Sequence, residues 1–242
     1  MLSTAAYQQQ ANARRKASCV EVSRTKTASR DTMFPDAEAR LAAIGRASAR
    51  PARCTLFEEG DQAAAFYRIS QGVAMAYKLL ADGRRQVTGF LFPGDFLGLA
   101  FEGHYVYGAE TVTQCRLLGY PSGQLERLLE SCPELERHML RLANHELLAA
   151  QQQMILLGRK TAEERLASLL CTFSRRQAAR GEADNPVWLP MCRGAIADYL
   201  GLTLETVSRL VTKLCREGLI SKRGHQFMCL EEPKILAAMA EG

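Results

Sequence analysis

Three side chains near the C-terminus have the types and the spacing to recognise another molecule by hydrogen bonds. In the stretch LGLTLETVSRLVTKL, residues 200 to 214, Glu205, Ser208 and Arg209 stand at positions i, i+3 and i+4. On a helix this spacing places all three on one face. In the major groove of DNA, arginine pairs with guanine, glutamate accepts from the cytosine amino group, and serine can contact any base. The pattern therefore predicts side chains that read base pairs.

The elements around these side chains favour that interpretation. The segment RGAIADYLG predicts a short helix, and residues 201–203 form a glycine-containing turn before a second helix from residue 204 to about residue 217. This arrangement is a helix-turn-helix, whose second helix offers its first turns to base edges. Thr203 is the expected N-cap of that helix. Its buried stripe is predicted from four apolar residues: Val207, Leu210, Val211 and Leu214. The plainer alternative is a solvent-exposed ion pair between Glu205 and Arg209, worth only about 0.2–0.5 kcal/mol.

After this motif, LISKRGHQFMCL has two extended runs around residues 223–225, which predict a β-hairpin wing. The charge distribution agrees with a polyanionic partner. Residues 158–230 hold twelve Lys and Arg against seven Asp and Glu, whereas residues 51–157 hold nine against twelve. A solvated charged face would look similar. The side chains expected at the DNA backbone are Arg193, Thr203, Thr206, Lys213 and Lys222.

Composition limits the remaining possibilities. The chain has 242 residues, 47% of them hydrophobic, and a net charge of +5. No uncharged apolar run approaches the roughly 18 residues that a membrane span needs, and the N-terminus lacks an apolar signal core. We therefore expect a cytoplasmic protein with no membrane partner. The eight cysteines contain no C-x-x-C pair, which argues against a disulfide framework and a zinc ribbon.

Residues 1–45 are rich in Ala, Ser, Gln and Arg without sustained periodicity, and they are interpreted as a disordered arm. A transit peptide is the alternative, although the apolar helical face of such peptides is weak here. Within residues 46–132, the stretch from Thr55 to Tyr120 shows short apolar or alternating runs separated by glycine-containing turns at intervals of about ten residues. This texture predicts an antiparallel β-roll or jelly roll.

Residues 133–158 predict a long helix, and residues 159–242 contain the winged helix-turn-helix. The overall expectation is an α+β fold. Along the long helix, apolar residues recur at alternating steps of three and four, which is typical of a coiled-coil seam in a homodimer. The seam residues are Leu140, Ala143, Leu147, Ala150, Met154 and Leu157. The alternative is that this stripe packs on the chain's own β-roll.

Three segments together resemble the CRP/FNR family of bacterial transcription regulators. They are YKLLADGRRQVTGFLFPGDFLGL, the long helix, and RGAIADYLGLTLETVSRLVTKLCREGLI, and the resemblance spans roughly residues 50 to 230. It implies a β-roll of the cyclic-nucleotide-binding type. The pattern E-x-x-S-R, with Leu204 where the cyclic-AMP receptor branch has arginine, is similar to the FNR/FixK branch.

The resemblance also implies the mode of action. Members of this branch bind palindromes of TTGAT-like half-sites, so Glu205 and Arg209 would read the central G·C pair. An exposed β-roll loop touches RNA polymerase in this family, mainly for activation, and the matching residues here are Asp82 and Arg84. A plain solvated hairpin tip is equally compatible with that loop.

The residues of the roll and of the N-terminal arm argue against two signals that members of this family sense. Where cyclic-AMP receptors hold the phosphate with an Arg-Ser pair, this chain has Tyr107 and Gly108. An iron–sulfur cluster of the FNR type needs three thiolates in the arm, but only Cys19 is there, with Cys115 at the fourth position. We therefore expect no cofactor, and a FixK-type regulator of oxygen limitation or nitrogen fixation without an effector of its own.

Two regulated alternatives and one enzymatic alternative stay open. The β-roll could bind an unidentified metabolite, or haem with His104 as axial ligand. A cupin-type enzyme would need a cluster of histidines, and only His104 of the four histidines lies among the strands. We therefore expect a regulator rather than an enzyme.

Cys192 occupies the expected N-cap of the first helix of the helix-turn-helix. The helix N-terminus and Arg193 both favour a thiolate there, which predicts a redox-sensitive site close to DNA. The alternative is a small residue tolerated at a cap.

Overall fold

Antiparallel strands make up the first half of the protein, whose computed structural model describes residues 35–100 and 103–242. Within this described part, one sheet has the strand order β1-β8-β3-β6 and a second has the order β2-β7-β4-β5. The predicted antiparallel β-roll is confirmed. Its strands are β1 (Arg46–Arg50), β2 (Thr55–Phe57), β3 (Ala65–Gln71), β4 (Ala74–Leu79), β5 (Arg85–Leu91), β6 (Phe96–Leu97), β7 (Gly108–Thr111) and β8 (Cys115–Pro121).

The interior of the roll is apolar because alternate residues of each strand point to the same face. Ile69, Leu97 and Leu117 are buried there with Phe57 and Cys115. The turn at Gly72 shows how tightly the strands approach one another. A Cβ atom at Gly72 would lie 2.2 Å from Gln114 O, so only glycine fits.

A helix, α1 (Pro35–Ile44), precedes the roll. Residues 1–34 of the predicted disordered arm lie outside the described residues, but for residues 35–44 the prediction is wrong. Ala37 and Leu41 are fully buried, and they pack with Tyr120, Leu125 and Leu135 in one cluster. The apolar positions of this helix are too few to give a periodic signal, and the roll supplies the surface that buries them.

Two helices follow the roll, α2 (Ser122–Ser131) and the long α3 (Pro133–Arg159). Pro133 begins α3, in agreement with the preference of proline for the first helical turn. Leu135 and Met139 bury the start of α3 against the roll. Of the helices in the described ranges, none is both long enough and apolar enough to cross a membrane.

The C-terminal part is a winged helix-turn-helix, as predicted. Its sheet has the order β10-β11-β9, and the hairpin pairs Lys222 with Met228. The elements are α4 (Ala162–Ala179), β9 (Val187–Trp188), α5 (Arg193–Leu200), α6 (Leu204–Arg216), β10 (Ile220–Arg223), β11 (Phe227–Leu230) and α7 (Pro233–Glu241).

One apolar core joins the roll to the helix-turn-helix. Phe90 of β5 lies 5.9 Å from Phe173 of α4 and 5.4 Å from Tyr199 of α5, measured between ring centroids. Arg176 of α4 stacks on Phe92 and forms an ion pair with Asp95. The position of the helix-turn-helix is therefore fixed by packing against β5.

Candidate nucleic-acid interface

The first helix of the helix-turn-helix begins at a cysteine and ends at a glycine. Cys192 is the N-cap of α5, as predicted, and its Sγ accepts a bond from Ala195 N at 3.4 Å. Gly201 ends the helix in a left-handed conformation with φ 61°. A left-handed residue reverses the chain direction at low cost only when it is glycine. The turn at residues 201–203 therefore brings α6 directly after α5.

The second helix, α6, is fixed by its cap and by its buried stripe. Thr203 Oγ1 accepts a bond from Thr206 N at 3.1 Å, which confirms Thr203 as the N-cap. The predicted stripe is also confirmed, since four residues are at most 9% exposed: Val207, Leu210, Val211 and Leu214. Burial of this stripe leaves the opposite face of α6 in solvent.

Glu205, Ser208 and Arg209 lie on that exposed face, as predicted. Arg209 forms an ion pair with Glu205, and their side chains are 74% and 71% exposed. An exposed pair of this kind contributes less than about 1 kcal/mol, so separating it for a base contact costs little. The guanidinium of Arg209 carries five N–H donors in a planar arrangement that suits a base edge.

Ser208 has a local bond of its own. Its hydroxyl donates to Leu204 O at 2.9 Å. A hydroxyl that donates to the backbone still has acceptor capacity. In this state Ser208 can therefore accept a bond from a base amino group.

Two of the predicted phosphate contacts meet in one cleft. Arg193 at the start of α5 and Lys222 of β10 line a cleft together with His225 and Phe227 of the wing. Burial lowers the pKa of Arg193 from its usual value, although a guanidinium stays charged at neutral pH. The cleft brings cationic side chains from two elements to the same edge of the helix-turn-helix.

Lys213 is placed differently from the other candidate phosphate contacts. Its ammonium group forms an ion pair with Glu163 of α4, and this hydrogen bond raises the pKa of Lys213. Glu163 therefore balances part of its charge in this state. Thr206, Arg209 and Lys213 line a shallow open pocket on α6 with Arg216.

Sequence reasoning missed three side chains of this surface. Arg216 follows Lys213 by three residues, as Lys213 follows Arg209 by four, so the helical period alone could have indicated that Arg216 lies on the same face. His225 belongs to the wing, where the hairpin turn rather than any period places it. Leu204, 55% exposed beside Glu205, offers an apolar contact of the kind that thymine methyl groups accept.

The seam predicted on α3 is largely open to solvent. Leu140, Leu147 and Met154 are 63%, 57% and 66% exposed, and Ala150 is exposed beside them. The alternative that this stripe packs on its own roll is therefore wrong for these residues. Ala143 is half-buried.

Leu157, the last residue of the predicted seam, belongs to another environment. It is half-buried and packs against the apolar core of the helix-turn-helix of its own chain. The exposed part of the stripe therefore runs from Leu140 to Met154.

Aromatic side chains occupy the region of the roll around Tyr107. Gly98 N donates to the Tyr107 hydroxyl at 2.9 Å, and burial raises the pKa of that hydroxyl. The rings of Phe57 and Tyr105 stack with centroids 3.7 Å apart. Gly108 follows Tyr107 in the sequence, and a Cβ atom added at Gly108 would lie 2.7 Å from Tyr77 Cζ. Tyr107 and Gly108 are therefore surrounded by aromatic rings.

The candidate ligands for a metal or haem lie apart. His104 is exposed, and its backbone forms an isolated β-bridge with Gln62. Cys115, in contrast, is fully buried in the roll, where desolvation raises the pKa of its thiol. Cys19 is outside the described residues. Among the residues that are described, no group of three or more His, Cys, Asp or Glu could hold a metal ion.

The β4–β5 hairpin ends in an exposed tip. Arg84 Nε donates to Asp82 Oδ2 at 2.7 Å, and the bonds from Arg84 lower the pKa of Asp82. Leu79 and Leu80, beside this pair, are 57% and 46% exposed. Such a tip presents apolar and charged groups together.

Comparisons with known proteins agree with this geometry. Residues 164–239 match the Crp-like helix-turn-helix domain, and residues 50–132 match the cyclic nucleotide-binding domain. The chain is 44% identical to the nitrogen fixation regulation protein FixK of Bradyrhizobium diazoefficiens over 189 residues. This alignment covers 77% of this chain and 78% of that protein.

Two further likenesses are similar in extent. The transcriptional activatory protein AadR of Rhodopseudomonas palustris is 45% identical over 165 residues, 68% of this chain and 69% of that protein. The structure of FixK2 from Bradyrhizobium japonicum superposes with a TM-score of 0.76 at 32% identity, covering 81% of this chain and 97% of that one.

Proposed function

Because this chain belongs to the CRP/FNR family of transcription regulators, we propose that it binds a palindromic TTGAT-like DNA site as a homodimer and mainly activates transcription from it. Regulators of this family bind DNA rather than catalyse a reaction. The single observation that carries the proposal is the exposed set Glu205, Ser208 and Arg209 on the first turn and a half of α6.

The composition of that set supports a half-site with a G·C pair. Arg209 offers two parallel donors to guanine O6 and N7, and Glu205 accepts from the N4 amino group of the paired cytosine. The cleft of Arg193 and Lys222 lies between the start of α5 and the wing, and its cations suit the phosphate backbone. The winged helix-turn-helix therefore supplies both base readout and backbone contact.

The exposed stripe of α3 supports the homodimer. Leu140, Leu147 and Met154 would each bury a large apolar side chain against a second copy of the helix. Burial of such a side chain is worth about 1.5–3 kcal/mol, which favours association. A two-fold dimer also matches a palindrome, since each recognition helix then meets one half-site.

The aromatic filling of the roll supports binding without an effector. Tyr107 and Gly108 provide no cation for a cyclic nucleotide phosphate. The 44% identity to a nitrogen fixation regulation protein supports a role in nitrogen fixation or oxygen limitation. Such a regulator works in the cytoplasm and contacts RNA polymerase, for which the exposed pair of Asp82 and Arg84 is suited.

The test is DNA binding by purified protein without any ligand. Fluorescence anisotropy on a TTGAT palindrome and on a scrambled duplex of the same composition measures specificity. We expect binding that is about 10³-fold or more tighter on the palindrome at physiological salt. Equal affinity for the two duplexes would refute the proposal. Specific binding that needs an added metabolite or haem would favour the alternative of a ligand- or haem-gated regulator.

A further inference from the structure

The last three carbonyl groups of α5 accept hydrogen bonds from side chains of three other elements. The C-terminal carbonyls of a helix have no partners within the helix, so external donors decide how its end is held. The bonds are Gln86 Nε2 to Asp198 O (2.7 Å), Gln153 Nε2 to Tyr199 O (2.7 Å) and Arg165 Nη1 to Leu200 O (2.9 Å).

The three donors come from three different elements that surround α5. Gln86 belongs to β5 of the roll, Gln153 to the long helix α3, and Arg165 to α4. Arg165 also donates to Leu157 O of α3 at 2.7 Å, so it joins α3 directly to the end of α5. These donors are here called the carbonyl clamp.

An ion-pair network beside the carbonyl clamp also holds the end of α5 against the roll. Arg85 Nε lies 3.2 Å from Asp198 Oδ2, and Arg85 Nη1 lies 3.3 Å from Glu110 Oε2 of β7. The side chains of all three residues are at most one-third exposed. The roll therefore holds both the backbone and the side chain of Asp198.

Only the three-residue turn, residues 201–203, separates the carbonyl clamp from α6, the helix that carries Glu205, Ser208 and Arg209 and is here called the reading helix. The last residue of this turn, Thr203, is the N-cap of α6. Three donors from separate elements restrain the carbonyl end of α5, and the short turn at residues 201–203 carries that restraint to the start of α6. The clamp thus relates the reading helix to α3, the proposed dimer helix.

We propose that Gln86, Gln153 and Arg165 are positioning residues for DNA recognition, which set the direction of α6 relative to α3 and thereby the half-site spacing that the dimer accepts. This inference rests on the proposed function and deepens it. Two reading helices fit a palindrome only when they lie about one helical turn, or roughly 34 Å, apart. A loosened α6 would still read bases but would tolerate other spacings.

The test compares a double variant, Gln86→Leu with Gln153→Leu, with wild type and with Gln152→Leu. Leucine has nearly the same size as glutamine but lacks the donor. Gln152 is an exposed neighbour on α3 and serves as the matched control. Affinity is measured on the TTGAT palindrome and on the same duplex with one central base pair inserted, which rotates one half-site by about 35°.

We expect the double variant to bind the palindrome about 3- to 30-fold more weakly, from the loss of two hydrogen bonds. The decisive readout is the ratio of the two affinities. It should fall in the double variant and stay at the wild-type value in Gln152→Leu. Preference for TTGAT over a scrambled half-site should be retained, because Arg209 is unchanged.

The outcomes distinguish failure of the positioning role from failure of the proposed function. A wild-type ratio in the double variant, or a reduced ratio in Gln152→Leu, overturns the positioning role and leaves the proposed function intact. Wild-type protein that does not prefer the palindrome overturns both. Thermal unfolding by circular dichroism verifies the fold, and if the double variant does not fold, the single variants Gln86→Leu and Gln153→Leu carry the same comparison.

Discussion

A Cβ atom added at Gly201 would lie 3.0 Å from Leu157 Cδ2, so the turn of the helix-turn-helix lies directly against the long helix. The same atom would lie 3.3 Å from Arg165 Nη1. Gly201 has φ 61°, a conformation that other residues adopt only at a cost. Conformation and crowding therefore both disfavour a larger residue at this position.

Gly201→Ala should lower stability more than a control with the same backbone conformation. Gly218, two residues after α6, has φ 71°, and a Cβ atom added there would meet no atom within 4 Å. Gly218→Ala therefore measures the conformational cost alone, which is about 1–2 kcal/mol. Gly201→Ala should cost about 1–3 kcal/mol more, because Leu157 must move. Chemical denaturation measures both variants, and equal losses would contradict the crowding.

Arg209→Ala should remove specificity. We expect a loss of about 1–3 kcal/mol on the TTGAT palindrome and a relaxed preference at the G·C pair. Anisotropy titrations on the palindrome and on the three base-pair substitutions at that position measure both effects. Equal losses on specific and random DNA would show that Arg209 contacts phosphate instead.

Lys222→Ala provides the contrast, since Lys222 lies in the cleft at the wing rather than on α6. It should weaken binding to all sequences alike and flatten the slope of log affinity against log salt by roughly one unit. Titrations at four salt concentrations measure that slope. An unchanged slope would exclude a phosphate contact.

Charged substitutions in the stripe of α3 should give monomers. Leu147→Glu and Met154→Glu would place carboxylates against their symmetry mates, and a buried, unpaired charge costs several kcal/mol. Sedimentation velocity measures the oligomeric state, with Gln152→Glu on the opposite side of α3 as the control. A folded dimer in the Leu147→Glu protein would show that the seam lies elsewhere.

Substitution of Asp82 and Arg84 by alanine should lower transcription without changing DNA affinity. Both side chains are more than half exposed, and the ion pair between them lies within the hairpin tip, so the fold should tolerate their loss. In vitro transcription from a promoter with the palindrome measures output, while anisotropy measures affinity. An unchanged transcript level would remove this hairpin as a polymerase contact.

Oxidation of Cys192 should weaken DNA binding. Its thiol is exposed at the start of α5, next to Arg193 of the phosphate cleft. A sulfinic or sulfonic acid adds a negative charge, which costs about 1–4 kcal/mol at 4 Å from a phosphate. With one such charge on each subunit, we expect peroxide to lower wild-type affinity by about ten-fold to well over a hundred-fold and to leave Cys192→Ser unaffected.

Cys54→Ser, at a partly exposed thiol of the roll, is the control for that experiment and should remain sensitive to peroxide. Serine at position 192 keeps an acceptor for the N-cap, so its affinity before oxidation should match wild type. If Cys192→Ser loses affinity as wild type does, another thiol is responsible.

The periodic parts of the molecule could be predicted from the sequence. The stripe of Val207, Leu210, Val211 and Leu214 fixed the orientation of α6, and the cap at Thr203 fixed its start. The exposed face with Glu205, Ser208 and Arg209 followed from these. Such features repeat at the period of one helix, so neighbouring residues carry all the information.

Contacts between distant residues were decided only by the tertiary structure. The short helix α1 has too few apolar residues for a periodic signal, and its burial depends on Tyr120 of β8. Gln86 meets Asp198 across 112 residues of sequence, and nothing in the type of either residue indicates the other. The sequence by itself determined which face of each long element is apolar and which side chains could meet DNA. Only packing of the roll, α3 and α4 around α5 decided how that reading face is held, because a polar side chain finds its partner by position in space and not by any period along the chain.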